Sequence, residues 1–427
     1  MQRALLVLLV SAFGLGCGAK TGLKVPPPEA GVPDAAIDMA LDLPDLPVDL
    51  PDLSMRPEPD LCIELPPEEP PTSVDVSFTA RVAQADVVFL IDVTGSMGGE
   101  IFQIQTTLRT VVVPALEMAV DDVQLAVAQF ADFPFAPYGT PMVDVPYTTL
   151  LESTSDFDMA SVTVARLRTL AGGDFSESHV QALFQVATNA PFRGIPRTDC
   201  PDGTLGATCL RRNSTPVVLL FTDAPMHNGP GGFDAYDPGE FFDPPASYEQ
   251  AVEALNAIGA KVLGINSGRP TGLERRHLEQ LAQDTGAVAE GEPLVLNISA
   301  EGEGLDEAVV QLVGDLVERV PLDVSVVAED FPDDAFDAER FVRGVETRGA
   351  EPASGAVDLM DRFAEVQPGT EVRFALLLAN ELLPRESEPQ SFFLTVVLLG
   401  DGVTPLRETL VEVVVPSIDG RGCDPPL

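Results

Sequence analysis

The apolar run Asp86-Val87-Val88-Phe89-Leu90-Ile91 passes directly into Asp92-Val93-Thr94-Gly95-Ser96-Met97-Gly98-Gly99-Glu100, and this junction constrains the fold more than any other segment. An uninterrupted apolar run of that length suits a strand buried on both faces, which belongs in a parallel sheet. The apolar positions Ile101, Ile104, Leu108 and Val111 then recur with helical spacing. A strand, a glycine-rich turn and a helix therefore follow one another, with one carboxylate and two hydroxyls at the strand's carboxyl end. Open α/β sheets place their ligands at that end. Asp92, Thr94 and Ser96 are hard oxygen donors spaced two apart, a set that suits Mg²⁺, Ca²⁺ or Mn²⁺ better than a soft metal. Taken alone, the turn reads first as a helix start capped by Thr94 or Ser96, because capping is the commonest role of such residues.

Two further segments shift that balance. Ala171-Gly172-Gly173-Asp174-Phe175-Ser176-Glu177-Ser178 is a second acidic, glycine-containing loop, followed by a helical stripe at Val180, Leu183, Phe184 and Ala187. The apolar strand Val217 to Phe221 ends in Thr222-Asp223-Ala224-Pro225. Asp92, Thr94, Ser96, Asp174, Glu177 and Asp223 thus lie at the ends of three core elements. Carboxylates that converge repel one another unless a cation sits among them.

These three motifs, in this order, resemble the von Willebrand factor A family and its metal-ion-dependent adhesion site. The first is similar to the family's D-x-S-x-S, with Thr94 for the first serine. The second resembles the D-x-P-E of integrin β subunits, with Ser176 in place of proline. The third, Thr222 to His227, resembles the T-D-A-x-x-H of the same branch. The resemblance spans roughly residues 85 to 320. It implies a cation held by the hydroxyls of Thr94 and Ser96 and by Glu177, with Asp92 and Asp223 beside it or bonded through water. It also implies that a partner's Asp or Glu carboxylate completes the coordination. The integrin β pattern continues with two acids where Gly99 and Glu100 stand here, which argues against an adjacent second cation on that side. Asp174 and Glu177 remain available to a neighbouring Ca²⁺ site on the other.

The start of the chain points to export. Arg3 precedes the apolar stretch Ala4 to Val10, and small residues lead to Cys17, a pattern too short for a membrane span and suited to a signal peptide. The ending resembles a bacterial lipoprotein signal, with Cys17 lipidated, Gly14 where leucine is usual, and Gly18 suited to an outer membrane; simple secretion is the alternative. The expected anchor is lipid alone. Residues 25 to 71 hold 13 of the chain's 39 prolines and 12 acids against the single basic residue Arg56. Proline locks φ and removes donors while like charges repel, so residues 18–71 read as a disordered tether. At ~3.1 Å per residue the proline-rich part spans up to about 145 Å. Cys62, Cys200, Cys209 and Cys423 remain, an even number in an exported chain, with no C-x-x-C spacing for zinc. Of three possible connectivities, the preferred one pairs Cys200 with Cys209 and Cys62 with Cys423; in the loop-entropy model the long closure constrains the unfolded chain more.

Between residues 85 and 320, strands near 87–91, 124–130, 217–221, 261–266 and 287–290 alternate with helices near 100–113, 157–169, 177–189, 247–258 and 272–284, and a last helix carries Leu305 to Leu316. Alternation of this kind predicts an α/β fold, a doubly wound, mostly parallel sheet covered on both faces. From residue 321 to 427 the pattern switches to strands, near 322–327, 371–378, 392–399 and 408–415, which predicts a smaller antiparallel β-sandwich domain. Residues 72–84 include the alternating Val74 to Thr79, a strand available to that sandwich, which would make residues 85–320 an insertion as in integrin β subunits.

The chain carries 67 acidic against 25 basic residues, a formal charge of −42. Nucleic acid is excluded as a partner, since phosphate binding needs a basic face. The stretch Asn228 to Asp237 reads as a solvated loop beside the metal site or a weak Ca²⁺ locus. His179, His227 and His277 are the three histidines, and no H-E-x-x-H or G-x-S-x-G occurs. His227 reads as a structural hydrogen-bonding residue, and no enzyme activity is expected. The expectation is a metal-dependent, adhesion-type protein-binding module of an exported lipoprotein in the cell envelope. The alternatives are an assembly component whose metal only stabilises the fold and an acidic component with many weak Ca²⁺ sites.

Overall fold

The computed structural model describes residues 57–331 and 336–423. The signal sequence, Cys17 and most of the expected tether lie outside the described residues.

At the centre is a six-stranded sheet. Its order is Val295–Asn297, Lys261–Asn266, Thr215–Thr222, Gln84–Asp92, Asp122–Phe130 and Thr148–Thr154. Every neighbouring pair is parallel except the last, where Thr148–Thr154 runs antiparallel at the edge. All residues of Thr215–Thr222 and Lys261–Asn266 are buried. Side chains alternate between the faces of a strand, so such continuous burial requires layers on both sides. Helices Gly98–Thr107, Val113–Ala119, Phe157–Val164, His179–Thr188, Tyr248–Ala257, Leu273–Asp284 and Leu305–Arg319 supply them. Leu305, Val309, Leu312 and Leu316 of the last helix recur at helical spacing and join the same core as Phe89 and Phe221.

The chain leaves Gln84–Asp92 toward Asp122–Phe130 on one side and returns to Thr215–Thr222 on the other. The strand order therefore reverses between Gln84–Asp92 and Thr215–Thr222, and a crevice opens beyond the carboxyl ends of strands at such a reversal. Asp92 and Asp223 sit at those two ends.

The first helix runs further than its expected end near residue 113. It continues through a π-type turn at Leu108–Val112 into Val113–Ala119. Pro114 cannot donate a backbone hydrogen bond to the preceding turn, and a widened turn accommodates it without ending the helix.

Outside this layer, a second six-stranded sheet runs Leu61–Glu64, Thr404–Val415, Gln390–Gly400, Leu322–Asp330, Arg362–Val366 and Val357–Asp358. A three-stranded antiparallel sheet runs Val342–Glu351, Glu371–Leu378 and Thr72–Thr79, with Val76 opposite Phe374 and Val74 opposite Leu376. The two sheets share one apolar core containing Val74, Val324, Phe363, Phe374, Leu394 and Val413. The rings of Phe363 and Phe374, one from each sheet, meet edge to face at 5.1 Å.

Three expectations change here. Leu61–Glu64 falls within the stretch read as tether, yet it is a strand that pairs with Thr404–Val415. Its alternation is hidden by flanking prolines, and the disulfide Cys62–Cys423 holds it to the chain's far end. That pairing is parallel, so the second six-stranded sheet is mixed and not purely antiparallel. Finally, the described residues group as one compact unit. Lys261 Nζ, in the α/β layer, lies 2.7 Å from Asp401 Oδ2, in the turn between the last two strands. The second disulfide pairs Cys200 with Cys209, closing a loop of sequence separation 9.

Candidate metal centre

Asp92 ends its strand fully buried. Its Oδ1 accepts hydrogen bonds from the backbone N–H of Thr94 at 2.9 Å and from Thr94 Oγ1 at 2.7 Å, while Oδ2 accepts from Thr222 Oγ1 at 2.7 Å. Three donors normally favour the ionised form. Burial outweighs them and pushes the Asp92 carboxyl up to about 7, with neighbouring Asp223 adding to the rise. Ser96 is exposed one turn further on and donates to Asp223 Oδ1 at 3.0 Å, which ties the first loop to the third. Burial also raises the half-buried Asp223 carboxyl.

Glu177 enters from the second loop. Its backbone N–H donates to Pro225 O at 3.0 Å, its own carbonyl accepts from His227 N at 2.9 Å, and so the second and third loops are zipped together. The side chain is buried with Oε2 lacking any hydrogen-bond partner. Burial first, then the charges of Asp92, Asp132, Asp174 and Asp144, push this carboxyl up to about 10. Gly172 fits between the loops at φ +73°, where a Cβ would stand 3.1 Å from Glu177 Oε1 and 3.5 Å from Thr94 Cγ2. A side chain there would fill the space that Thr94 and Glu177 face. Asp144 pins this stretch by accepting from the N–H groups of Ala171 at 2.9 Å and Gly172 at 3.2 Å.

An orphaned buried carboxylate oxygen beside a second buried carboxylate is unfavourable in a metal-free protein. Hydroxyl and carboxylate oxygens alone form the donor set, and the residues fit a hard divalent cation such as Mg²⁺, Ca²⁺ or Mn²⁺. Behind them His179 packs fully buried, with Nε2 2.7 Å from Thr222 Oγ1 and Nδ1 3.1 Å from Glu177 O. Burial lowers its imidazole to about 3. It stays neutral and braces two of the loops.

Family and curated-protein comparisons give no match for this chain. Solved structures give distant ones. A von Willebrand factor type A protein from Catenulispora acidiphila is 14% identical with a TM-score of 0.37, covering 83% of this chain and 72% of its own. The pilus adhesin SpaC from Lactobacillus rhamnosus GG is 12% identical with a TM-score of 0.33 over 81% of this chain, which spans 45% of the adhesin. Proximal thread matrix protein 1 from the mussel byssus is 16% identical with a TM-score of 0.35, covering 59% of this chain and 51% of its own. Scores this low fix neither a family nor a function.

Of the residues singled out in the sequence, Thr94 donates to Asp92 and Ser96 donates to Asp223, and Glu177 lies close enough to Asp92 for their charges to couple. Asp174 takes a different place. Its carboxylate stands 3.2 to 3.3 Å from His227 Nε2 and belongs to a cluster with Asp132 and His227 whose ligand atoms all lie within 4.8 Å. Asp132, Asp144 and Glu100 were not singled out. Asp132 follows the strand Asp122–Phe130 at its carboxyl end, so the rule that located Asp92 would have found it. Glu100 is buried with an orphaned Oε2, and burial raises its carboxyl. Gly99, where the integrin β pattern has an acid, has no room for a side chain, since a Cβ would stand 2.6 Å from the Glu301 backbone. The stretch Asn228 to Asp237 is solvated from Gly231 to Ala235, as expected, but it is tied down rather than free. Asp234 accepts from Ser176 Oγ at 2.6 Å, Tyr236 is buried, and Gly229 and Phe233 bridge.

Among the described residues no helix is long and apolar enough to cross a membrane.

Proposed function

We propose that the chain is a divalent-cation-dependent protein-binding module. Thr94, Ser96 and Glu177 would hold the cation, with Asp92 and Asp223 behind them, and Asp174 is set aside for the neighbouring cluster. The observation that carries this reading is the buried Glu177 carboxylate, with one oxygen unpaired, at a crevice where two adjacent parallel strands end. A hard cation there supplies a positive centre to which an outside carboxylate can donate an oxygen. Ser96 is exposed, so the crevice opens to solvent on its side. A protein offering an Asp or Glu carboxylate is the partner class such a centre takes, and the formal charge of −42 gives a reason for routing contact through a cation, because an acidic partner meets repulsion elsewhere.

The likeness of the three motifs to the von Willebrand factor A family supports the same reading. The fold fits it too, as an α/β layer placed in sequence between Thr72–Thr79 and Leu322–Asp330 of a two-sheet β unit. We further propose export to the cell envelope with a lipid at Cys17. Two disulfides support an oxidising compartment. No turnover is proposed.

The test is retention of envelope proteins by the immobilised full chain, with Mg²⁺ or with EDTA, alongside the Ser96→Ala and Glu177→Gln variants. Specific retention that is lost in EDTA and in both variants, and competed by an aspartate-containing peptide, supports the reading. Retention indifferent to chelator and to both variants rejects it. If Mg²⁺ raises the melting temperature while no carboxylate peptide adds to it, the metal serves only the fold.

A further inference from the structure

Apart from the carboxylate centre, three loops gather aromatic rings around an open cleft of about 320 Å³. Phe133 and Phe135 follow the strand Asp122–Phe130, Phe192 follows the helix His179–Thr188, and Phe241 and Phe242 come from the loop before Tyr248–Ala257. The ring of Phe133 stands 5.7 Å from that of Phe192 and 4.7 Å from that of Phe241, and Phe135 lies 5.2 Å from Phe241. Small apolar clusters of this kind pin long loops, and that accounts for Phe133, which is 4% exposed. It does not account for Phe242, which lines the same cleft and is 81% exposed. The volume lies at the lower end of the range of about 300 to 1,000 Å³ typical of small-molecule sites.

The charges around the cleft select the ligand. Glu240 and Asp243 are exposed and line it together with the rings. The face of an aromatic ring is itself negative, so rings and carboxylates together attract a positive group. A cation already uses one of these faces. The guanidinium carbon of Arg193 lies 5.6 Å from the centroid of the Phe242 ring, inside the ~6 Å over which the ring holds a positive charge. Arg193 is exposed and can swing away without leaving a buried charge behind. A lysine ammonium is strongly hydrated and carries N–H donors that an aromatic wall cannot satisfy. A quaternary ammonium has no N–H and wraps its charge in methyl groups, which suits both the apolar lining and the acidic mouth.

We propose that this cleft binds the quaternary ammonium group of a small solute of the choline class. The methyl groups would rest on Phe241 and Phe242 in place of the Arg193 guanidinium, with Glu240 and Asp243 closest to the charge. The formal charge of −42 favours the same sign of ligand. This site does not depend on the metal centre or on the carboxylate-binding reading.

The experiment titrates the full chain with choline and follows the ligand's methyl protons by NMR. A saturable upfield shift is expected, because the methyl groups lie over ring faces. Phe242→Ala and Asp243→Asn, both at exposed positions, should each weaken binding by about threefold to thirtyfold with the melting temperature unchanged. Arg193→Gln should tighten it by vacating the Phe242 ring. The neutral isostere of choline, with tert-butyl in place of trimethylammonium, should bind at least about tenfold more weakly. Ser96→Ala and EDTA should leave choline binding as it was. Absence of a saturable shift, equal affinity for the neutral isostere, or parental affinity in both Phe242→Ala and Asp243→Asn overturns the proposal and leaves the carboxylate-binding reading standing. Choline binding lost in EDTA or in Ser96→Ala would also overturn it, since the ammonium would then belong to the metal centre.

Discussion

At the scale of single residues, Glu177 carries the sharpest consequence. Its carboxyl is held protonated at neutral pH by burial and by four neighbouring acids, so Glu177→Gln replaces a neutral acid by a neutral amide of the same shape. The metal-free variant should match or exceed the parent in melting temperature, yet lose cation binding in calorimetry. A variant that binds Mg²⁺ as tightly as the parent would remove Glu177 from the centre. The same shifts set a pH dependence. Asp92 rises from 3.8 to about 7 and Glu177 from 4.5 to about 10, so the unfolded chain releases these protons first as pH climbs. Their contribution to stability is complete below about 4 and is lost as pH rises through 7 toward 10. His179 acts from the other side. Lowered from 6.5 to about 3, it costs stability as pH falls through that interval, because only the unfolded chain takes up the proton. The two limbs overlap between about 4 and 6.5, where two carboxyls outweigh one imidazole, so melting in EDTA should be highest near pH 4 and fall above it, and saturating cation should offset that alkaline fall alone. Cation uptake must also expel protons, so apparent affinity should rise with pH, by about tenfold per unit for each proton released. Of this site, Asp92, Thr94, Ser96 and Asp223 were legible because a motif's spacing survives in one dimension. That Asp174 turns away toward His227 was not, since Glu177, three residues on, is equally acidic and only the folded loop separates them.

Among the elements, legibility followed burial. The strands Lys261–Asn266 and Glu371–Leu378 have the limits their apolar patterns predict, and Val217 to Phe221 gains only a residue or two at each end. Thr148–Thr154 and Val342–Glu351 were not predicted. The first is a half-buried edge strand; the second carries Arg343, Glu346, Arg348 and two glycines, a sequence that alone favours a loop. Their pairing is dictated by the neighbouring strand, not by their own composition. Leu61–Glu64 is the same case, and a covalent clamp makes it testable. The Cys62–Cys423 bond closes a separation of 361 residues and the Cys200–Cys209 bond one of 9. Loop entropy ranks them at about 6 against about 2 to 3 kcal/mol. Replacing Cys62 and Cys423 by serine should lower stability more than replacing Cys200 and Cys209, as read by denaturant midpoints, and should expose the amides of Leu61–Glu64 to hydrogen exchange. Equal losses from the two pairs would mean that Leu61–Glu64 keeps its place without the clamp.

The whole molecule adds a long-range field, because 67 acidic residues outnumber 25 basic ones. That field draws cations toward the crevice and repels any acidic partner approaching it, so added monovalent salt must act on the two steps with opposite sign. The Debye length shrinks from about 30 Å at 0.01 M to about 8 Å at physiological ionic strength. Screening over that range removes the collective attraction for a divalent ion while leaving short, partly buried contacts nearly intact. Mg²⁺ affinity should then fall as NaCl is added. Capture of an aspartate-containing peptide, measured at saturating Mg²⁺, should instead quicken in its association phase while its dissociation changes little, since the departing peptide breaks contacts that salt screens weakly. Surface plasmon resonance separates the two rates. Association slowed by salt would mean that the partner meets a locally positive surface, and contact would then have to be sought away from the acidic crevice between Ser96 and Glu177.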